Sequence, residues 1–325
     1  MRSLCSLYVD VGYLLGAAAV RVTGTSLRNG VHIDYAPLID ALVDKAERVS
    51  GLDVLRVHWY DSARDGVPDT QQQRIGGLPK VKLRLGRFGM DGQQKGVDLR
   101  IGLDLVTHAR NRAADVFVLV SGDDDLTEAV EEAQGHGVQV ILLAVPSTEN
   151  KPHGISPHLI RAADGLDLLP PETVDQSVTK VEMPPATPPM PQPAAVAPPA
   201  RQPQVTATPK DLAGRGQPGT PRPPSPMPVY STTTGRQPYI ATAYEDPTEL
   251  AHQIDVVVAN VLTAFLTSAT AEALTELAAG RPSIPRDVDK ALLTDLSERR
   301  DELDLSEQAR HMLRAHFWKR YDETR

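Results

Sequence analysis

Val116-Phe117-Val118-Leu119-Val120-Ser121-Gly122-Asp123-Asp124-Asp125-Leu126 decides how this chain folds. Five consecutive apolar residues, most of them β-branched, with no polar residue alternating among them, describe a strand buried on both faces. Ser121-Gly122 then turns the chain, and Leu126–Gln134 carries helical spacing that stops at Gly135 and Gly137. Such a strand feeding a helix is the unit of a parallel sheet, because crossover helices cover both of its faces.

The same alternation recurs on either side. Ser6–Val11 is a short apolar strand with Asp10 near its end, and Tyr13–Val20 begins a helix. Ile33–Val49 places Leu38, Leu42, Val43 and Ala46 at helical spacing before Gly51. Val54–Tyr60 reads as a strand on which Trp59 and Tyr60 alternate, one of them inward, and Lys80–Phe88 as a strictly alternating one. Val97–Ala109 is a helix, and Val138–Val145 a second buried strand ended by Pro146. The fold class is therefore α/β, a three-layer domain with a parallel sheet of about five strands over residues 1–170.

Proline sets the remaining boundaries. Of the chain's 28 prolines, 19 lie between Pro170 and Pro238, a density that neither helix nor central strand tolerates. Residues 171–245 read as a disordered, Pro-rich linker. Residues 246–325 read as a small all-α domain. Ile254, Val257, Val258, Val261, Leu262 and Phe265 line one helix, a second runs near Ala271–Ala279, and Pro285 starts a third. Asp304 and Glu307 read as the capping box of a fourth. This bundle carries no chemical constellation and suggests a protein partner or self-association.

Composition excludes several classes. The 325 residues carry a single cysteine, Cys5, so neither an internal disulfide nor a Cys-rich zinc site is available. Asp10 breaks the N-terminal apolar run, which argues against a signal peptide. No apolar stretch reads as approaching the ~18 residues of a membrane span, so the expectation is a soluble, cytoplasmic protein with no membrane partner. The net charge of −8 gives no bulk attraction for nucleic acid; local basic groups or metal ions must supply it. The histidines show no metal-ligand spacing, and none pairs with a nucleophile.

The chemistry lies in the aspartates. Asp10 closes a strand, Asp98 opens a helix after Lys95-Gly96-Val97, and Asp123 follows the Val116–Val120 strand. In a parallel sheet, strand ends and the helix starts after them share one rim, and ligands bind there where the strand order reverses. If the first strand neighbours Val116–Val120, the three carboxylates converge. Such a cluster persists when a divalent cation neutralises it, and all-oxygen ligation suits Mg²⁺ or Mn²⁺. Singly, each acid has an ordinary alternative: strand end for Asp10, first-turn acid for Asp98, and a capping box with Glu128 for Asp125. Asp124 reads as solvent-facing, and Asp104 as either helix surface or a supporting acid.

Tyr8-Val9-Asp10, Lys95-Gly96-Val97-Asp98 with Asp104 following, and Val120-Ser121-Gly122-Asp123-Asp124-Asp125-Leu126 resemble the three blocks of the NYN domain, the LabA-like branch of the PIN-like nuclease superfamily. Ser156–Leu169 is similar to that family's closing helix and short strand. The resemblance covers roughly residues 4–170. It implies a PIN-like (Rossmannoid) fold, divalent-metal-dependent ribonuclease activity, and an acidic site of Asp10, Asp98, Asp123 and Asp125 with Asp104 as a further metal-ligand candidate. Two positions depart from it. Tyr13 stands where the family commonly has asparagine, and Leu126 where it commonly has an aromatic.

The implied reaction is hydrolysis of an RNA phosphodiester, with Mg²⁺ or Mn²⁺ held by Asp10, Asp98 and Asp123. Asp125 would orient the nucleophile or bind metal through water. Ser121 would hydrogen-bond phosphate or an aspartate, or cap its loop, and Lys95 would neutralise the leaving phosphate. Lys80, Lys82 and Arg84 alternate with apolar residues, so all three are expected on one face as a track for RNA; an aggregation-blocking edge strand is the equal alternative. Against the ribonuclease stands a non-catalytic RNA- or protein-binding regulator that keeps the fold. Haloacid dehalogenase-type phosphatases are disfavoured because Gly12 stands where their second aspartate belongs. Toprim domains are disfavoured because they need a glutamate where Asp10 stands.

Overall fold

The apolar run that opened the sequence is buried along its whole length, Val116 to Val120, because it lies in the interior of a seven-stranded sheet. The computed structural model describes residues 3–63, 66–88, 94–181, 247–300, 302 and 305–324. The chain begins β1 (Leu4–Asp10), α1 (Val11–Thr23), β2 (Val31–Ile33), α2 (Tyr35–Ser50), β3 (Asp53–Ala63) and α3 (Thr70–Gly76). It continues β4 (Val81–Phe88), β5 (Gln94–Lys95), α4 (Val97–Arg110), β6 (Val116–Val120), α5 (Thr127–Gly135) and β7 (Gln139–Ala144). The α/β part closes with α6 (Pro157–Ala162), β8 (Gly165–Leu168), α7 (Pro171–Ser177) and β9 (Val178–Lys180). Four helices follow: α8 (Pro247–Ser268), α9 (Ala271–Ala279), α10 (Arg286–Arg300) and α11 (Glu307–Glu323).

The sheet order is β5-β4-β3-β1-β6-β7-β8. All neighbours are parallel except β4 and β5, which pair antiparallel through Arg87 and Lys95. Six strands run parallel, in keeping with a sheet of about five; β8 and the two-residue β5 are too short to carry a periodic signal. From β1 the chain builds outward through β3 and β4, then crosses to the other side with β6. The order therefore reverses between β1 and β6, where parallel α/β sheets hold their ligands. Register pairs Val9 with Val120 and Asp10 with Tyr60, so the β1 and β6 ends lie side by side.

Strand alternation sorts two cores. Cys5, Leu7 and Val9 of β1 pack with Leu14, Leu38 and Leu42 of α1 and α2. Tyr8 points the other way, among Ile101, Leu105 and Val130 of α4 and α5. Trp59 and Tyr60 are both completely buried; the expectation that one would face outward fails because helices cover both faces here. Ordered structure also runs past residue 170, where the proline-rich segment was placed. Pro171 starts α7, Val174 and Val178 are buried, and β9 pairs antiparallel with β2. A proline at the first helical position is compatible with a helix.

Among the described residues, the C-terminal helices share one compact unit with the α/β domain. Leu27, in the loop between α1 and β2, is 1 % exposed and sits in the helical core with Ile254, Val258, Val261, Leu292 and Phe317. Around it, Asp295 accepts from the Ser26 amide at 2.9 Å, Asp287 from Asn29 Nδ2 at 2.5 Å, and Asn260 donates to the Gly24 carbonyl at 3.4 Å. Asp304, expected to cap the last helix, lies outside the described residues; Ser306 caps it by accepting from the Ala309 amide. The Thr248–Ser268 segment of α8 is, by length and composition, apolar enough to cross a membrane, contrary to the expectation from sequence. Its apolar face is buried in the helical core.

Candidate functional site

Asp10 ends β1 and begins α1, and its side chain serves the helix. Oδ1 accepts from the Tyr13 amide at 3.3 Å, as an N-cap carboxylate does. Oδ2 accepts from the Ser121 hydroxyl at 3.1 Å, and that hydroxyl also accepts from the Asp123 amide at 3.3 Å. Of the roles open to Ser121, orienting an aspartate and capping its loop are thus both realised. Asp10 is 7 % exposed. Burial, and next the charge of Asp98, push its carboxyl up to about 6, against the lowering pull of the Tyr13, Ser121 and Gly12 hydrogen bonds.

Asp123 follows β6 across the switch point. Its Oδ1 accepts from the Asp125 amide at 3.0 Å, so Asp123, rather than Asp125 with Glu128, caps this turn. Burial raises its carboxyl, with Asp98, Asp125 and Asp124 adding to the rise. Asp98 sits in the first turn of α4, and its charge reaches both Asp10 and Asp123. The sheet therefore gathers three aspartates from three separate sequence blocks at one rim. Burial and the neighbouring charges favour the protonated forms of Asp10 and Asp123, and a divalent cation would reverse that preference. The donor set is all-oxygen and fits Mg²⁺ or Mn²⁺ in kind. Among the described residues, no three His, Cys, Asp or Glu side chains already converge closely enough to ligate one ion.

Two glycines permit close approaches at this rim. A Cβ on Gly122 would lie 1.8 Å from the Gly154 carbonyl oxygen, and one on Gly12 would lie 2.9 Å from Asp10 Oδ1. Gly122 thus lets the β6 turn meet the loop between β7 and α6, where its carbonyl accepts from the Ser156 amide at 3.0 Å. Tyr13 braces the same loop: its hydroxyl donates to the His153 carbonyl at 2.8 Å and accepts from the Val145 amide at 3.2 Å.

The other candidates lie elsewhere. Asp104 is held by Arg84 through two hydrogen bonds of 2.7 and 2.5 Å and by the Tyr60 hydroxyl at 2.9 Å. Burial alone would raise its carboxyl, but the Arg84 and Tyr60 bonds hold it below the ordinary range. A carboxylate so engaged is neither free for an ion nor coupled to Asp10, and Arg84 is correspondingly engaged. Lys80 precedes β4 with φ 62° and pairs with Glu47 of α2, whereas Arg84 pairs toward α4 on the opposite layer. The three-residue basic face expected from alternation is broken at Lys80, and Lys82 remains exposed on β4. Asp125 is exposed. Asp124, expected to face solvent, accepts from Ser156 and lies 3.4 Å from His158 Nδ1, anchoring α6. The Lys95 side chain lies outside the described residues.

Sequence reasoning missed two cations at this rim. Arg28 Nη2 donates to the Gly12 carbonyl at 2.9 Å, and Lys290 on α10 feels the charges of Asp10 and Asp98. Arg28 sits in a loop without a motif, and Lys290 belongs to a helix far away in sequence, so no spacing rule marks either.

Comparison with known families matches the NYN domain over residues 6–168. A curated protein of Sinorhizobium fredii described as "Uncharacterized protein y4oD" is 38 % identical over 133 residues, covering 40 % of this chain and 61 % of that protein. The chain thus spans less than two thirds of that relative's length. No solved structure matches. The family match covers half of the chain and takes in all three acid-bearing blocks: this chain belongs to the NYN domain family.

Proposed function

We propose that this protein is a divalent-metal-dependent ribonuclease whose site is built from Asp10, Asp98 and Asp123. The observation that carries the reading is a buried aspartate, Asp10, at the β1 end where the strand order reverses, beside Asp123 after β6 and with Asp98 near enough to disfavour its charge. Carboxylates that disfavour each other's charge in a buried site suit a place that takes a cation.

Asp10, Asp98 and Asp123 would hold Mg²⁺ or Mn²⁺. Bound there, the ion supplies charge neutralisation at the scissile phosphate and a water of lowered pKa. The chain's own residues do the rest. Ser121 fixes the rotamer of Asp10 by donating to Oδ2, and the Tyr13 amide fixes the other oxygen. Asp125, exposed beside Asp123, would orient the nucleophile or bind the metal through water. Asp104 and Arg84 support the fold through each other, and Lys82 offers a surface cation for the RNA backbone.

A second reading, a binding regulator without turnover, is favoured by Tyr13. Where an asparagine amide would be available to the site, the Tyr13 hydroxyl is committed to His153 and Val145. Incubating purified full-length protein and its Asp123→Asn variant with a defined single-stranded RNA and Mn²⁺ separates the two. Cleavage by the wild type and none by the variant is expected; binding without cleavage by either supports the regulator.

A further inference from the structure

Arg28 and Lys290 are cations beside the carboxylates that the site described above does not use, and they come from two different parts of the chain. Two anchors fix where α10 runs. At one end, Asp287 accepts from Asn29, the neighbour of Arg28, and the Arg28 guanidinium reaches the Gly12 carbonyl beside Asp10. At the other end, Glu298 lies 3.1 Å from His153 Nε2, and its Oε1 lies 3.2 Å from where a Cβ on Gly154 would stand. His153 and Gly154 belong to the loop that Tyr13 braces. Lys290 is one helical turn beyond Asp287 and two turns before Glu298, so it stands between anchors that straddle the Asp10 loop.

The charges agree with that position. The Lys290 ammonium is disfavoured first by crowding against protein and then by Arg28, and is favoured by Asp10 and Asp98. Lys290 as a whole is nonetheless exposed, so its ammonium can be reached from solvent. The helix holding it is fixed in place, because Leu27 of the α/β domain is buried in the core that α8 and α10 share. A lid that opened would have to pull Leu27 into water.

We propose that Arg28 and Lys290 form a two-cation clamp for the RNA phosphates flanking the scissile bond, so that the C-terminal bundle completes the substrate site of the α/β domain. A polyanion entering an acidic pocket needs fixed positive charge at its margin, and a planar guanidinium beside a flexible ammonium suits two adjacent phosphates. The clamp rests on the ribonuclease reading for its substrate and extends it across the polypeptide. The opposite possibility, that Lys290 holds the site shut by imitating a metal ion, predicts the reverse sign in the same experiment.

The test uses the full chain and a fluorescein-labelled single-stranded RNA of mixed sequence. Anisotropy is measured in EDTA over a range of salt for the wild type, Lys290→Met, Lys290→Arg and Arg28→Met; cleavage in Mn²⁺ is measured alongside. Lys290→Met and Arg28→Met are each expected to weaken binding about tenfold and to lower the salt slope by about 0.7, the increment for one phosphate contact on a single strand. Lys290→Arg should stay within about twofold of wild type. In Mn²⁺ the Met variants should raise KM more than they lower kcat. Wild-type affinity and slope in both Met variants overturn the clamp while leaving the nuclease intact, and so does faster cleavage by Lys290→Met. A wild type that neither binds nor cleaves RNA removes the ribonuclease reading, and the clamp with it.

Discussion

The Ser121 hydroxyl donates to Asp10 Oδ2 at 3.1 Å, joining the ends of two neighbouring parallel strands. These residues stand more than a hundred positions apart in sequence, and only the β1–β6 pairing unites them. The bond orients a carboxylate that has almost no exposure to water, and through the Asp123 amide the same serine ties down the second acid of the site.

Asp10 makes metal-free stability fall as pH rises. Its folded pKa, about 6, lies above the unfolded value of about 3.9, so the folded chain keeps the proton longer. The stabilisation from that proton is full below about pH 4 and is lost as pH climbs through about 6. Two pKa units correspond to about 3 kcal/mol. Thermal denaturation in EDTA should show Asp10→Asn more stable than wild type at pH 7.5 and little different at pH 4. Equal differences at both pH values would contradict the assigned shift.

Gly122→Ala should disturb the rim of the site. Its Cβ would enter the Gly154 carbonyl, and backbone cannot swing aside as a long side chain can. A cost of about 3 kcal/mol, the upper end for overpacking, is expected, together with faster amide exchange at Gly154 and Ser156. An unchanged melting temperature would show that the loop moves freely.

Arg84→Ala should destabilise by about 3 kcal/mol, because it leaves the half-sequestered Asp104 carboxylate without its cation. Arg84→Ala with Asp104→Ala should recover part of that loss in a double-mutant cycle. The exposed Lys82→Glu should change RNA affinity and leave the melting temperature unaltered. If Arg84→Ala weakens RNA binding without loss of stability, the pair is less committed than its geometry implies.

The strand–helix alternation and the three acid blocks were legible because each depends on local pattern. Continuous apolar runs announced strands covered on both faces, and the resemblance placed Asp10, Asp98 and Asp123 together. What stayed hidden depends on tertiary partners. Asp98 and Asp104 look alike on one helix, yet only Asp104 meets Arg84 and Tyr60. Lys80 shares the alternation of Lys82 and Arg84, but its positive φ turns it toward Glu47. Leu27 is an isolated leucine in a polar loop, with nothing in its neighbours to reveal that a helical core more than two hundred residues away encloses it.

That enclosure has a thermodynamic consequence. Leu27→Ala should cost about 3 kcal/mol, the usual penalty for emptying a buried leucine site. Because Leu27 is shared between the α/β domain and the C-terminal helices, both should unfold together by near- and far-ultraviolet circular dichroism. Two separated transitions in the wild type would contradict the shared core.

The central claim is that Asp10, Asp98 and Asp123 form a cation site, and calorimetric titration of metal-free protein with Mn²⁺ tests it most directly. The account predicts saturable uptake with proton release near pH 6, where Asp10 is partly protonated, and loss of that uptake in Asp10→Asn. No uptake by the wild type, or the same uptake by the variant, would contradict it.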